Sequence, residues 1–403
     1  MTKLLAQHGP AKGQKIEDGI SASNLSGVIF SQNDETFLSI SSYCTRLGSL
    51  SKDNTFFDPQ FYYSTFESEI LKKLGDLDTF PSLVTRKDWR KRSSVILNFL
   101  DDHALKSKEI SNTLITPGFF INDIDWKFDY SVELYNHCVS KYSEFNDYAL
   151  TLMLSTSFFA NKSNIEELLD VLNESIVEKK KIYFVICHEQ KNGENNYESI
   201  DQSWLANILF TVHSLQELGF KIIMGYGFMN SVLFAMLDVE YISSGWFNTL
   251  RKFEKTKFEL TESFGRRKKR YTSLPLLSYI MIDDLNNMLD TSKVTISDLM
   301  SNTTIDSSLL SDSSTVSFVD LEHQYWESLK IIFDELAAEP DLKNRVLNVK
   351  RKIDNAINLY TEVIIELEQS SQNVAAKRLK DQSKHLYLWK NAIEIFKSKI
   401  SLI

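Results

Sequence analysis

The feature that most limits how this chain can fold is a series of eight short apolar runs, each ending in polar or glycine residues. An amphipathic stretch follows each run, and this alternation is typical of the strands and helices of a parallel sheet. Eight repeats predict an α/β fold, a closed (βα)8 TIM-like barrel. A doubly wound open sheet is the alternative, but its glycine-rich first turn is missing here. The predicted strands are residues 3–7, 27–31, 55–58, 113–116, 149–155, 182–187, 221–225 and 240–243.

A different pattern begins after the eighth run. Residues 296–319 are rich in Ser, Thr and Asp, which is typical of a loop or mobile linker. From residue 320 onward apolar residues recur at helical spacing, and Pro340 separates the first stripe from the next. The sequence therefore predicts a barrel over residues 1–295, a Ser/Thr-rich linker over 296–319 and an α-helical C-terminal extension over 320–403.

Composition limits the classes of function. The chain has 45 Lys and Arg against 54 Asp and Glu, a formal charge of −9, so no overall field attracts it to nucleic acid or to an acidic membrane. Its three cysteines are widely spaced and form no Cys-x-x-Cys pair for zinc or redox chemistry. Residues 1–10 show no leader pattern, and no run reaches the ~18 apolar residues of a membrane span. We expect a cytoplasmic protein with no cofactor, no metal and no membrane contact.

Candidate site residues follow from the barrel prediction, because the acting side chains of such barrels lie at the C-terminal ends of the strands and in the loops that follow. Polar residues occupy these positions after every predicted strand. An Asp-Pro step such as Asp58-Pro59 also occurs in ordinary turns, so a structural role stays open for it. The catalytic candidates are Asp58, Glu189 and Ser243, the ligand-binding candidates are His8, Gln60, Gly225, Gly227 and Ser244, and Asp34 and Tyr226 belong to the same rim.

The seventh and eighth predicted strands carry the most informative loops. Gly225 and Gly227 would let backbone N–H groups approach a ligand closely, and these two loops commonly bind anions in this fold. The alternative is that the glycines only permit a tight turn. Together with the Ser-Ser-Gly sequence at 243–245, they predict a small anionic or nucleotide-like ligand.

One segment is strongly basic. Residues 251–270 contain nine Lys and Arg against three Glu, a net +6 in an acidic protein. Adjacent like charges repel one another unless a partner neutralises them, and Trp246 and Phe247 nearby could stack on a base. We therefore predict contact with nucleic acid or another polyanion, the alternative being an acidic protein partner. The candidate contacts are Arg251, Arg266, Arg267, Lys268, Lys269 and Arg270.

The Met-Gly-Tyr-Gly sequence at 224–227, together with residues 243–251, resembles the corresponding part of tRNA-guanine transglycosylases. Those enzymes are (βα)8 barrels that exchange a guanine for a deazapurine through a covalent aspartate. The resemblance implies that Asp58 handles a base and that Ser243 stands at the position of the nucleophile. The family's zinc-binding cysteines are absent, and residues 187–190 replace its Gly-Gly turn. A divergent member of that superfamily is implied, and such members modify DNA or occur beside anti-phage genes.

Three functions remain as hypotheses. The first is a nucleic-acid-associated barrel that binds a base or nucleotide at the rim, as an enzyme or as a degenerate relative. The resemblance implies a bacterial modification or defence system as its setting. The second is a non-catalytic scaffold that docks a protein partner through residues 320–403. The third is a hydrolase or lyase for a small phosphorylated compound, which the versatility of this fold allows.

Overall fold

The structure is a computed structural model that describes residues 1–48, 50–65, 74, 79–81, 83–188, 200–254, 268–291 and 293–402. Its strands are β1 Lys3–Gln7, β2 Gly27–Ser31, β3 Thr55–Asp58, β4 Thr113–Ile115, β5 Phe120–Ile121, β6 Asp147–Ser155, β7 Lys181–His188, β8 Lys221–Gly225, β9 Tyr241–Ser244, β10 Phe253–Glu254, β11 Arg270–Ser273 and β12 Ser278–Met281. Its helices are α1 Lys15–Ser21, α2 Phe37–Leu47, α3 Arg86–Arg90, α4 Ser94–Ile110, α5 Trp126–Lys141, α6 Lys162–Ser175, α7 Gln202–Glu217, α8 Ser231–Met236, α9 Asn248–Arg251, α10 Ile282–Thr291, α11 Ile296–Leu299, α12 Asp306–Ser311, α13 Phe318–Ala337, α14 Leu342–Gln369 and α15 Asn373–Lys399.

Eight parallel strands form a nearly closed barrel in the order β3-β2-β1-β9-β8-β7-β6-β4, and the intervening helices alternate with them along the chain. This confirms the predicted fold, and every predicted strand is present with its ends shifted by no more than two residues. The barrel strands are almost entirely buried, which explains why they read as continuous apolar runs. The ends of the sheet, β3 and β4, lie side by side, and just before these strands the amide of Asn112 donates to the carbonyl of Lys52 at 3.1 Å.

One helix boundary differs from the sequence pattern. The apolar periodicity of residues 88–105 predicts a single helix, but the structure has α3 and then α4. Arg92 between them has a φ of 48°, in the left-handed region, which ends α3. Ser93 then precedes α4 in a non-helical conformation, so the chain starts a second helix there.

The C-terminal helices pack within the chain. Helix α13 buries the predicted stripe of Leu321, Tyr325, Leu329, Ile332 and Leu336, and Ser317 and Asp320 form a capping box at its start. Helices α14 and α15 pack against each other, α15 also packs on α7, and α14 packs on α8 and α10. Among the described residues, no helix combines the length and the apolar character needed to cross a membrane.

The Ser/Thr-rich segment between the barrel and α13 is packed rather than extended. It contains α11 and α12, and Ser301 and Asp306 are buried. The Ser301 hydroxyl donates to the carbonyl of Thr272 at 2.7 Å, and the hydroxyl of Tyr271 donates to Asp306 at 2.9 Å. These bonds attach the segment to β11, so its composition reflects hydrogen bonding to the protein and not mobility. The domain boundaries themselves stay a prediction.

Candidate functional site

A buried cluster at the C-terminal end of the barrel surrounds the carboxylate of Asp58, the last residue of β3. The hydroxyls of Tyr62 and Tyr183 donate to its Oδ2 at 3.0 and 3.1 Å, and the backbone N–H of Gln60 donates to its Oδ1 at 2.8 Å. Tyr226, in the loop after β8, lies close to the same carboxylate. We call Asp58, Gln60, Tyr62, Tyr183 and Tyr226 the mouth cluster.

The tyrosines of the mouth cluster are hydrogen-bond donors at any physiological pH. Burial raises the pKa of Tyr62, Tyr183 and Tyr226 well above the usual value, and the negative charge of Asp58 raises it further. Their hydroxyls therefore keep their protons. The cluster can stabilise negative charge or donate to acceptor groups of a ligand, but these phenols cannot serve as general bases near neutral pH.

Gln60 is the residue of the mouth cluster that most clearly points to a ligand. It is 1% exposed and interacts with the Tyr226 hydroxyl, but neither its side-chain amide oxygen nor its side-chain amide nitrogen makes a hydrogen bond of normal geometry with a described residue. Leaving such a buried group unpaired costs about 1–3 kcal/mol. Its backbone also has a φ of 50°, which is uncommon for a residue with a side chain and concentrates at functional sites. The turn after Asp58 therefore holds, in a strained conformation, a side-chain amide that the described residues leave incompletely bonded.

Ser243 lies inside the barrel and connects to this cluster. Its hydroxyl donates to the Gln7 side-chain oxygen at 2.7 Å and accepts from the amide of Tyr226 at 3.3 Å. A serine nucleophile needs an adjacent general base, and Gln7 cannot act as one. This geometry suits a residue that orients the Tyr226 loop better than it suits a nucleophile.

Gly225 at the end of β8 and Gly227 just after it are explained by packing. A Cβ on Gly225 would lie 2.9 Å from the Tyr183 ring and 2.8 Å from Val185, and a Cβ on Gly227 would lie 2.5 Å from the Ser231 hydroxyl. Neither glycine has a positive φ, whereas Tyr226 between them has a φ of 55°. These glycines were expected to let the backbone approach a ligand, but the structure shows that they let neighbouring side chains pack closely. Gly225 in particular makes room for Tyr183 to reach Asp58.

Two predicted ligand residues face away from the mouth cluster. The Nδ1 atom of His8 lies 3.2 Å from the carbonyl oxygen of Ser31, and its Nε2 atom faces Glu35 at 3.7 Å. The hydroxyl of Ser244 hydrogen-bonds to that of Tyr325 on α13 at 2.7 Å. Consecutive residues of a strand point to opposite faces, so Ser244 lies outside the barrel because Ser243 lies inside.

The predicted polyanion contacts separate into three groups. Arg251 is fully buried: its guanidinium lies 4.3 and 3.5 Å from the ring centres of Tyr279 and Tyr325 and donates to the carbonyls of Gly245 and Trp246. This corrects its interpretation as a phosphate contact, because no exposed surface remains. Lys268 is exposed, Lys269 donates to the carbonyl of Ser314, and Arg270 donates to that of Tyr279. Arg266 and Arg267, and the catalytic candidate Glu189, lie outside the described residues.

The aromatic residues near the basic segment have structural contacts as well. Trp246 is fully buried and its indole N–H donates to the carbonyl of Pro10 at 3.2 Å, so it cannot stack on a base.

Phe253 of β10 is more informative, because the centre of its ring lies 5.3 Å from the ring centres of Tyr62 and Tyr226. Strand β10 pairs with the end of β7, at Cys187 and His188. The chain therefore enters the basic segment directly from the mouth cluster.

Sequence reasoning missed Tyr62, Tyr183 and Asn33. Tyrosines within apolar runs read as core residues, and only the pairing of strands shows that these hydroxyls meet Asp58. Asn33, in the loop after β2, is buried with both amide atoms unpaired among the described residues. The signal for it was weak: an amide immediately after a predicted strand, beside the rim residue Asp34.

Among the described residues, no three His, Cys, Asp or Glu side chains are grouped so that they could hold a metal ion. Comparison with protein-family models, with characterised proteins and with solved structures gives no match. The likeness to transglycosylases therefore stays a prediction from the sequence, and the site has to be interpreted from its own geometry.

Proposed function

We propose that this protein binds a nucleobase, within a nucleotide or a nucleic acid, at the mouth cluster. The observation that carries the proposal is the buried side-chain amide of Gln60, which lies among tyrosine hydroxyls and makes no hydrogen bond of normal geometry with a described residue. The edge of a base presents neighbouring donors and acceptors, and an amide matches them in a bidentate manner. Tyrosine and phenylalanine rings such as Phe253 add surfaces on which a base can stack.

The position of the basic segment supports a polymeric ligand. Residues 251–270 carry a net +6, and β10, which begins this segment, contacts the mouth cluster through Phe253. We propose that cationic side chains of this segment contact the phosphates attached to a base that is bound at the cluster. Lys268, Lys269 and Arg270, together with Arg266 and Arg267, remain our candidate phosphate contacts.

We assign no reaction. Asp58 accepts three hydrogen bonds, and Ser243 has no adjacent base among the described residues, so neither is an evident nucleophile. A divergent transglycosylase-like component of a bacterial modification or anti-phage system, located in the cytoplasm, is the form of this proposal that the sequence resemblance favours.

Gln60→Met tests the proposal, because methionine keeps the shape of glutamine but can neither donate nor accept in the same way. We expect binding of the preferred base, nucleotide or oligonucleotide to weaken about 10-fold or more, since one bidentate contact contributes about 1–3 kcal/mol. The free energy of unfolding should stay equal or rise, because an unsatisfied buried amide has been removed. Calorimetric titration with the four bases, their nucleotides and short single strands gives the first quantity, and urea unfolding gives the second.

Gln324→Met is the matched control. Gln324 is also a fully buried glutamine, but its amide accepts from the Thr272 amide at 2.9 Å and donates to the Thr272 carbonyl at 2.8 Å. This variant should lose stability and keep its binding. Absence of any binding by the wild-type protein at low salt would refute the proposal, and a salt series separates a bound base from a bound polymer, whose affinity falls as salt rises.

The scaffold function is the weaker candidate. The apolar stripes that suggested docking are used within the chain, since α13 packs on β1, β11 and α8, and α15 packs on α14 and α7. The metabolic hydrolase or lyase has no specific observation in its favour.

A further inference from the structure

The loop between β2 and α2, residues 32–36, connects the mouth cluster to a group of charged residues outside the barrel. On one side, the loop begins beside Asp58, because Ser31 at the end of β2 pairs with Asp58 at the end of β3. The negative charge of Asp34 in this loop also raises the pKa of Tyr63 and Tyr226. On the other side, the next residue, Glu35, faces Lys12 in the loop between β1 and α1. Because Asp34 and Glu35 are consecutive, the backbone conformation that directs Glu35 towards Lys12 also determines where the Asp34 side chain points.

Glu35 is held by three side chains. The Lys12 ammonium donates to both oxygens of its carboxylate, the Ser39 hydroxyl donates to Oε2 at 3.0 Å, and His8 Nε2 lies 3.7 Å from Oε1. Burial alone would raise the pKa of Glu35, but the nearby His8 and the hydrogen bonds from Lys12 and Ser39 outweigh burial and lower this pKa to about 2. Glu35 is therefore ionised throughout the neutral range.

The ion pair differs from an ordinary surface salt bridge. The side chains of Lys12 and Glu35 are only 12% and 17% exposed, and the ammonium lies 4.7 Å from the centre of the Tyr43 ring. Charges that are partly desolvated interact more strongly and are screened less than exposed ones. Both residues line an open cleft of about 530 Å³ beside α2, so the contact lies at the surface of the rim without being fully solvated.

The loop has little else to fix it. No backbone–backbone hydrogen bond joins the amides of residues 32–35 to another described residue, and α2 begins only at Phe37. Asn33 in the same loop is buried with an unpaired amide. Side-chain contacts must therefore determine where the loop lies, and those of Glu35 are the strongest among the described residues of the loop.

We propose that Glu35 is a positioning residue: its contacts with Lys12 and His8 fix the loop 32–36 so that Asp34 and Asn33 stand at the mouth cluster in the conformation that binds the ligand. The inference rests on the proposed function, because it deepens the description of the same site. Glu35 itself does not touch the ligand. If the loop is in the binding conformation only a tenth of the time, the observed affinity falls about 10-fold.

The test compares Glu35→Gln, Lys12→Met and the double variant with Glu166→Gln. Glu166 forms an exposed ion pair with Lys162 on α6 and is the matched control. Hydrogen–deuterium exchange is measured without ligand at the amides of Ser39 and Ile40, which bond to Thr36 at the end of the loop. The Kd for the base or oligonucleotide that the wild-type protein binds is measured separately. We expect the exchange rate and the Kd to rise roughly 10-fold in Glu35→Gln. The double variant should show no larger rise than the more affected single variant, since each substitution removes the same Lys12–Glu35 contact. Glu166→Gln should change neither quantity.

Two results would overturn the inference: wild-type exchange rates in Glu35→Gln, or faster exchange with an unchanged Kd. A merely structural role for Glu35 would lower the free energy of unfolding without changing the Kd of the folded protein. If the wild-type protein binds no base or oligonucleotide, the proposed function fails, while exchange in the free protein still shows whether the Glu35 contact holds the loop. The two failures are therefore distinguishable.

Discussion

Tyr183 reaches Asp58 across the barrel because Gly225 on the neighbouring strand has no side chain. The third residue of β7 and the last of β8 lie two positions apart in register, and the Tyr183 ring occupies the space of the missing Cβ. Close packing in a barrel interior leaves no room for an added methyl group unless neighbours shift. The donor arrangement at Asp58 thus depends on a glycine that never touches the carboxylate.

Gly225→Ala should displace Tyr183 and weaken its bond to Asp58. We expect the free energy of unfolding to fall by about 1–3 kcal/mol, the usual effect of overpacking, and ligand affinity to fall with it. Urea unfolding and calorimetric titration measure the two effects. Gly19→Ala in α1 is the control. Its added Cβ would lie 2.6 Å from the Leu25 side chain, so it also causes overpacking, but away from Asp58. Unchanged affinity in Gly225→Ala would show that Tyr183 does not contribute to binding.

At the scale of elements, the hairpin β11–β12 and helix α13 are attached to the barrel by polar groups as well as by apolar packing. The Arg251 guanidinium lies between the rings of Tyr279 on β12 and Tyr325 on α13. The amide of Gln324 on α13 pairs with both backbone groups of Thr272 on β11, as a neighbouring strand would. These contacts cover a short sheet that would otherwise expose an edge.

Arg251→Met should destabilise this attachment by about 2–4 kcal/mol, because two carbonyl acceptors and a cation between aromatic rings are lost together. Chemical denaturation measures this loss. The slope of log affinity for an oligonucleotide against log salt should not change, because a buried guanidinium contacts no phosphate. Lys268→Ala, which removes an exposed cation, should reduce that slope by about 1 if Lys268 contacts a phosphate. A folded Arg251→Met protein with a reduced slope would restore the phosphate-contact interpretation.

At the scale of the whole molecule, the long C-terminal helices are joined to the segment that follows the barrel through a buried carboxylate. Asp284 of α10 is fully buried, and the Arg378 guanidinium on α15 donates to both of its oxygens. Such a pair stabilises little relative to an apolar contact, but removal of one partner leaves an uncompensated buried charge. We infer that α10 and α15 unfold together.

Arg378→Ala should therefore lower the free energy of unfolding by about 2–3 kcal/mol, somewhat less than for a completely buried pair because the arginine is 38% exposed. Lys380→Ala, two residues along the same helix, removes an exposed pair with Glu368 and should cost less than about 1 kcal/mol. Denaturant unfolding followed by circular dichroism compares them. Equal stability of the two variants would show that Asp284 is compensated by other groups.

The sequence by itself determined the number, order and approximate ends of the barrel strands. Strands buried on both faces must be apolar along their whole length, and this requirement is visible in one dimension. The stripe on α13 was visible for the same reason, as was Asp58, because a polar residue that ends an apolar strand falls on the rim of the barrel. Chain-local rules on sterics, periodicity and charge suffice for these features.

Only the tertiary structure decided which polar residues meet. Ser243 faces the interior and Ser244 faces α13, although the two are adjacent in sequence, because the register of β9 with β1 assigns each side chain to a face. His8 turned out to face Glu35, Arg251 became a buried link between elements, and Tyr62 and Tyr183 converged on Asp58. Contacts between residues more than a hundred positions apart, such as Tyr183 with Asp58, depend on strand pairing and side-chain direction, and neither is encoded in local composition.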